Sequence, residues 1–126
     1  MPVRLNHTIV HCRDKHASAR YLAEMLGLGE PSTFGPFVTV QVANDVSLDY
    51  ADGRPVHPQH YAFLVSEAEF DEILARIVER QVPYWADPYH HRPGEVNHND
   101  GGRGAYWDDP DGHSLEILTR PYGSGG

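Results

Sequence analysis

Cysteine is almost absent from this chain of 126 residues: Cys12 stands alone. No disulfide can form within the chain, and a reducing compartment fits. Long apolar runs are missing as well. No stretch approaches the ~20 apolar residues of a membrane span, and Met1-Pro2-Val3-Arg4-Leu5-Asn6 lacks the apolar centre of a signal peptide. Positive charge is scarce: 10 Lys and Arg against 18 Asp and Glu leave a formal net charge of −8. That balance argues against nucleic acid or an anionic membrane as the main partner. There is no phosphate-binding glycine-rich loop and no zinc-type pair of cysteines. What is there is ordinary globular material, 40% hydrophobic and 22% charged, in a length that supports one core. These features read as a soluble cytoplasmic protein with a single domain over 1–122. The glycine-rich tail 123–126 is expected to be disordered.

Periodicity divides the chain into elements. Arg4 to Cys12 reads as a strand, with Thr8, Val10 and Cys12 on one face and His7, Ile9 and His11 on the other. Asp14 can cap a helix to about Leu26, with Ala17, Tyr21, Leu22 and Met25 as its apolar stripe and Gly27 at its end. Phe37 to Val42 alternates as a strand, Asn44-Asp45 turns, and Val46 to Tyr50 alternates again. A linker with two prolines and a glycine, Ala51 to Pro58, follows.

Then the order begins anew. His60 to Val65 is a strand, and Ser66-Glu67-Ala68-Glu69 is a capping box. The helix it opens places Phe70, Ile73, Leu74, Ile77 and Val78 on one face. Val82 to Ala86 reads as a short strand and Asp87 to Gly102 as a long polar loop. A hairpin closes the chain, its strands joined by Asp109-Pro110-Asp111-Gly112. The fold expected is α+β, with two strand–helix–strands modules at about 4–50 and 59–120.

If each helix covers the apolar face of its strands, the opposite faces carry His7, Ile9 and His11; Phe37, Thr39 and Gln41; Ser47 and Asp49; His60, Ala62 and Leu64; and Ser114, Glu116 and Leu118. Such a face is too polar for a core and suits the wall of a cup. Glu116 is the sharpest signal in it, because a carboxylate inside Leu115-Glu116-Ile117-Leu118 is costly unless paired or bound to a cation. His7, His60 and Glu116 together form the two-histidine, one-carboxylate set that leaves positions open on a divalent metal.

Leu5-Asn6-His7-Thr8-Ile9-Val10, His60-Tyr61-Ala62-Phe63-Leu64-Val65 and Asp109-Pro110-Asp111-Gly112-His113-Ser114-Leu115-Glu116 resemble the vicinal-oxygen-chelate superfamily. That superfamily includes glyoxalase I, fosfomycin-resistance transferases, bleomycin-binding proteins and extradiol ring-cleavage dioxygenases. The resemblance runs from about Arg4 to Arg120. It implies a pair of βαβββ modules forming a half-barrel around one metal, and a homodimer at this length. The modules would pair within one chain or swap across the dimer. The reaction is not implied by the fold.

A second resemblance, to the extradiol dioxygenases, rests on Val96-Asn97-His98, Ala105-Tyr106, Asp109-Pro110-Asp111-Gly112 and Glu116. Ala105 departs from it, standing where a larger apolar residue is usual, and extradiol enzymes are generally longer. The resemblance implies Fe(II) on His7, His60 and Glu116, a small aromatic substrate of the catechol type, and catalytic roles for His98 and Tyr106. His98 would move protons, a task suited to imidazole, and Tyr106 would hydrogen-bond a substrate oxygen. Mn, Ni or Zn at the same residues would fit a glyoxalase- or fosfomycin-resistance-like lyase or transferase. A dimeric protein that sequesters an antibiotic is the non-catalytic alternative. For the additional carboxylate ligand of glyoxalase I, Ser47 is the closer positional match and Asp49 a substitute.

Overall fold

The computed structural model describes residues 2–125. They form two compact units, divided between His57 and Pro58. The first contains β1 (His7–Cys12), α1 (Lys15–Leu26), β2 (Ser32–Phe34), β3 (Phe37–Gln41) and β4 (Ser47–Asp52). The second contains β5 (His60–Leu64), α2 (Glu67–Glu79), β6 (Tyr84–Trp85), β7 (Gly104–Asp108) and β8 (Ser114–Leu118). Both units are therefore βαβββ, and the fold is α+β.

Strand order repeats with the elements. The first sheet runs β1-β4-β3-β2 and the second β5-β8-β7-β6. In each, the opening strand pairs parallel with the closing one, and the remaining pairs are antiparallel. The parallel pair requires a crossover, and the helix together with the two intervening strands provides it. In β1 the alternation is as expected, with Val10 and Cys12 buried and His7, Ile9 and His11 exposed.

Helix boundaries follow their caps. Asp14 accepts hydrogen bonds from His16 N and Ala17 N, and Gly27 ends α1 at φ 71°, a conformation that costs glycine least. The apolar stripe of α1 differs from the expected one: Ser18, Ala19, Leu22, Ala23 and Met25 are buried, while Ala17 is exposed. At about 100° per residue, Ala17 lies roughly 140° from Leu22, so it belongs to the outer face. Ser66 and Glu69 form the reciprocal capping box of α2, with Glu69 N–H to Ser66 Oγ at 3.1 Å and Ser66 N–H to Glu69 Oε1 at 2.8 Å. Phe70, Ile73 and Ile77 are buried, but Val78 is exposed. It sits roughly 80° from Phe70 around the helix, at the edge of the stripe.

Two further differences concern the strands. Ser32–Phe34 is an edge strand whose three residues are all exposed, so it carries no buried/exposed alternation to read. The strand expected over Val82–Ala86 pairs only at Tyr84–Trp85, since Gln81 turns the chain at φ 58° and Pro83 has no N–H to donate.

The polar loop after β6 is held from within. Asp87 accepts N–H bonds from Tyr89, His91 and Arg92 at 2.8–3.2 Å. Burial works against its charge, but the N–H groups of His91, Arg92 and Tyr89 outweigh it and hold the carboxyl below its ordinary range. The His90 ring stacks on Trp85 with centroids 3.6 Å apart. The C-terminal residues up to Gly125 are hydrogen-bonded, Gly123 and Gly125 both donating to Asp100; Gly126 of the expected tail lies outside the described residues.

Candidate metal and substrate site

Sheet register brings three of the five candidate residues together on one face of the second unit. His60 pairs with Ser114 and Ala62 with Glu116 along β5 and β8, and Tyr106 pairs directly with Glu116 across β7 and β8. His60 Nε2 lies 3.0 Å from Glu116 Oε1, and His60 Nδ1 lies 3.1 Å from the Ser114 carbonyl oxygen. The Tyr106 ring stacks near that of His60, with centroids 5.8 Å apart. Ala105 and Trp107 point the other way, opposite Ile117 and Leu115 in the core. The small residue that departs from the extradiol pattern is thus a core residue, not a wall of the site.

The electrostatics of the trio follow from burial. Glu116 is only 7% exposed and Tyr106 8%. Burial, then the Glu116 charge and the hydrogen bond to it, push the Tyr106 phenol above its ordinary range. Tyr106 is therefore a hydrogen-bond donor near neutral pH, not a base. His60 has an acceptor oxygen at both ring nitrogens, whereas a neutral imidazole has one N–H. With Nδ1–H donating to the Ser114 carbonyl, Nε2 must meet the carboxylate through a proton or a cation.

That donor set suits a divalent metal: an imidazole oriented by a backbone carbonyl and a buried carboxylate beside it. Among the described residues, no group of three or more His, Cys, Asp or Glu is gathered that could hold a metal ion. The assembled part is the pair His60 and Glu116.

His7 belongs to the first unit, where it occupies the equivalent place. It opens β1 opposite Ser47, as His60 opens β5 opposite Ser114. Its Nδ1 faces Asn6 Oδ1 at 2.7 Å, so its Nε2 is the nitrogen left for a ligand. Two residues along, Ile9 pairs with Asp49 as Ala62 pairs with Glu116. Asp49, rather than Ser47, therefore holds the register position of Glu116. It is buried and accepts from Thr39 Oγ1 at 3.0 Å and Ser47 Oγ at 3.1 Å.

His98 lies in the second unit but is exposed, at the start of a 3-10 turn over Asn99–Gly101. Its neighbour Asn97 anchors that turn. Asn97 donates from Nδ2 to the Ala86 carbonyl at 2.8 Å and accepts Asn99 N–H at 3.1 Å. A Cβ at Gly104 would meet the Asn97 side chain at 2.8 Å, so glycine at 104 is what admits the anchor.

His113 is a positioning residue that pattern reading passed over. It is 1% exposed, and its Nδ1 accepts the Gln59 N–H at 2.9 Å, directly before His60. Asp109 supports it by accepting the N–H groups of Asp111 and His113, both at 2.9 Å. The signal available was a histidine closing the Asp-Pro-Asp-Gly turn, but burial, which the sequence does not show, gives it this role.

Other candidates are engaged elsewhere. Arg103 pairs with Glu67 at 2.7 Å and Asp71 at 2.8 Å and lies over the Phe70 ring. Arg92 pairs with Glu95 at 3.1 Å. Cys12 is buried. No helix among the described residues is long and apolar enough to cross a membrane.

No family model matches the chain. The solved oxidase ChaP-H1 is 69% identical with a TM-score of 0.95, over 97% of this chain and 99% of that one. Oxidase ChaP-H2 is 66% identical with a TM-score of 0.96, over the full length of both. Glutathione transferase FosA of Serratia marcescens is 28% identical over 120 residues, 90% of this chain and 78% of its own. Solved structures at 17% to 22% identity, glyoxalases and a fosfomycin-resistance protein among them, share the fold. With its paired βαβββ units, its His60–Glu116 pair and relatives that are themselves enzymes, the chain belongs to the vicinal-oxygen-chelate superfamily.

Proposed function

We propose that this protein is an Fe(II)-dependent oxidoreductase of the extradiol type, acting on a catecholic substrate. The observation that carries the reading is the His60–Glu116 pair with the Tyr106 phenol set beside it. The 69% and 66% identity to proteins named as oxidases favours redox chemistry over the other reactions of the superfamily.

His60 and Glu116, joined by His7 as third ligand, would hold the metal; Mn, Ni or Zn are the other candidates. Bound there, Fe(II) supplies a centre at which a catechol and O2 can react. The chain's own groups do the rest. Ser114 holds the His60 ring in the tautomer that frees Nε2. Tyr106, kept protonated, donates a hydrogen bond to a substrate oxygen when it is not donating to Glu116. His98, exposed on an anchored turn, would serve as acid and base.

Oxygen uptake by anaerobically Fe(II)-loaded protein tests this against one- and two-ring catechols. Uptake with a yellow ring-opened product is expected, with the metal lost from a folded Glu116→Ala variant. His98→Ala should keep its metal and lose roughly 100-fold or more in turnover, the scale of general acid–base catalysis. A second reading is favoured by the FosA relationship and by Asp49 at the register of Glu116: lyase or transferase chemistry at the same metal. Full metal occupancy with no oxygen uptake on any catechol would select it.

A further inference from the structure

Sheet register extends the face of Glu116 and Tyr106 by one more strand. Trp85 on β6 pairs directly with Tyr106 on β7, as Tyr106 pairs with Glu116 on β8. Directly opposed residues share a face, with Cβ atoms about 5 Å apart, so Trp85 is the next side chain outward from Tyr106. A second row runs His60, Ser114, Asp108 across β5, β8 and β7. Asp108 shares the face of Tyr106 because it lies two residues along the same strand. His90 joins the two rows. Its ring stacks on Trp85 with centroids 3.6 Å apart and planes 8° from parallel, and its Nε2 lies 3.6 Å from Asp108 Oδ2.

The loop that delivers His90 is built to keep it there. Ala86 N–H donates to the Arg92 carbonyl at 3.0 Å and Gly94 N–H to the Tyr84 carbonyl at 2.8 Å, which returns the chain alongside β6. Asp87 gathers the N–H groups of Tyr89, His91 and Arg92 around the tip. Between them His90 takes φ 63°, a left-handed conformation that a non-glycine residue holds when its surroundings over-determine it. No step at His60, Glu116, Tyr106 or His98 uses this ring.

The spacing of the strands says what this ring can meet. β5 and β7 stand two strand spacings apart, roughly 10 Å, with His60 at one end of the row and His90 beside Asp108 at the other. A flat ring set between them lies about 5 Å from the His90 imidazole, inside the range of about 4.5–7 Å at which aromatic rings attract. We propose that His90, held on Trp85, is a substrate-contacting specificity residue that packs against the ring of the ligand on the side away from His60. The inference rests on the catechol reading of the site. Loss of such a contact is worth roughly 2- to 10-fold in affinity.

Anaerobic calorimetry on the full-length Fe(II)-loaded protein, comparing catechol with acetohydroxamate, tests this. Acetohydroxamate chelates a metal through two oxygens but has no ring. His90→Asn removes the imidazole and keeps a residue type that accepts a left-handed backbone. It should weaken catechol by roughly 2- to 10-fold and leave acetohydroxamate within about twofold, which also reports an intact fold and metal. Trp85→Leu, which takes away the platform under the ring, should shift the ratio of the two affinities in the same direction. The wild-type ratio in either variant, whether both affinities fall or neither does, would overturn the specificity role. Wild-type protein that fails to bind catechol would overturn the catechol reading and the inference with it, a result distinct from an unchanged ratio.

Discussion

Asp109 shows how one buried carboxylate can organise a turn at an electrostatic cost. Burial pushes its carboxyl above the ordinary range, opposed by the His113 and Asp111 N–H groups it accepts. Both N–H bonds reach the same oxygen, Oδ1, and an asparagine can supply that oxygen without the charge. Asp109→Ala should therefore destabilise the protein by about 1–3 kcal/mol, and Asp109→Asn by clearly less. The pH dependence has a definite sign. A folded-state pKa above the unfolded one means that the native state binds the proton more tightly. The contribution is fully present below the unfolded value of about 3.9 and is lost as pH rises through the folded one. Urea unfolding across that window should show the wild type gaining on Asp109→Asn as pH falls; a gap that closes in the opposite direction would contradict the assignment.

At the level of elements, helix α2 was legible because its signals are local. The capping box lies within four residues, and Phe70, Ile73 and Ile77 recur at helical spacing. Ser66→Ala should cost about 0.5–2 kcal/mol in unfolding free energy. Hydrogen bonds from the Ser66 backbone and side chain hold the Glu69 carboxyl below its ordinary range. That contribution is present above the unfolded carboxylate pKa and fades as pH falls through the folded one, so the Ser66→Ala deficit should shrink in acid. Thermal or denaturant unfolding near pH 7 and near pH 3 checks both statements. Strand β2 was illegible for the converse reason. Its partner is β3, and all three of its residues face solvent, so pairing alone defines it.

For the whole molecule, the internal repeat is the organising fact. His7 and His60 open corresponding strands, and Asp49 and Glu116 share a register, but the two carboxylates have different partners. Asp49 is satisfied by Thr39 and Ser47, whereas Glu116 faces an imidazole and a phenol. On the proposed metal reading, Glu116 rather than Asp49 would meet the cation. If His7 completes the ligand set, a divalent metal should raise the unfolding midpoint of the wild type, by about 2.7 kcal/mol in free energy at a hundredfold excess over Kd. His7→Ala and Glu116→Ala should each abolish that gain. A gain of full size in His7→Ala would restrict the metal to ligands of the second unit.

Sequence by itself determined the parts whose causes are local: the caps at Asp14 and Ser66, the glycine at the end of α1, the α2 stripe, and the alternation that sets His60 and Glu116 on a polar face. It also carried the resemblance to the superfamily, through the segments Leu5–Val10, His60–Val65 and Asp109–Glu116. Tertiary structure decided what depends on distant pairing. Register put Tyr106 opposite Glu116 and Asp49 in Glu116's place; burial made His113 the prop of β5; the Asp100 carboxylate accepts the N–H groups of Gly123 and Gly125. Local signals arise from bonds spanning a few residues. Apart from the hairpin pair Tyr106 and Glu116, these decisions arise from groups 23 to 56 positions apart meeting in space, which no short window along the chain contains.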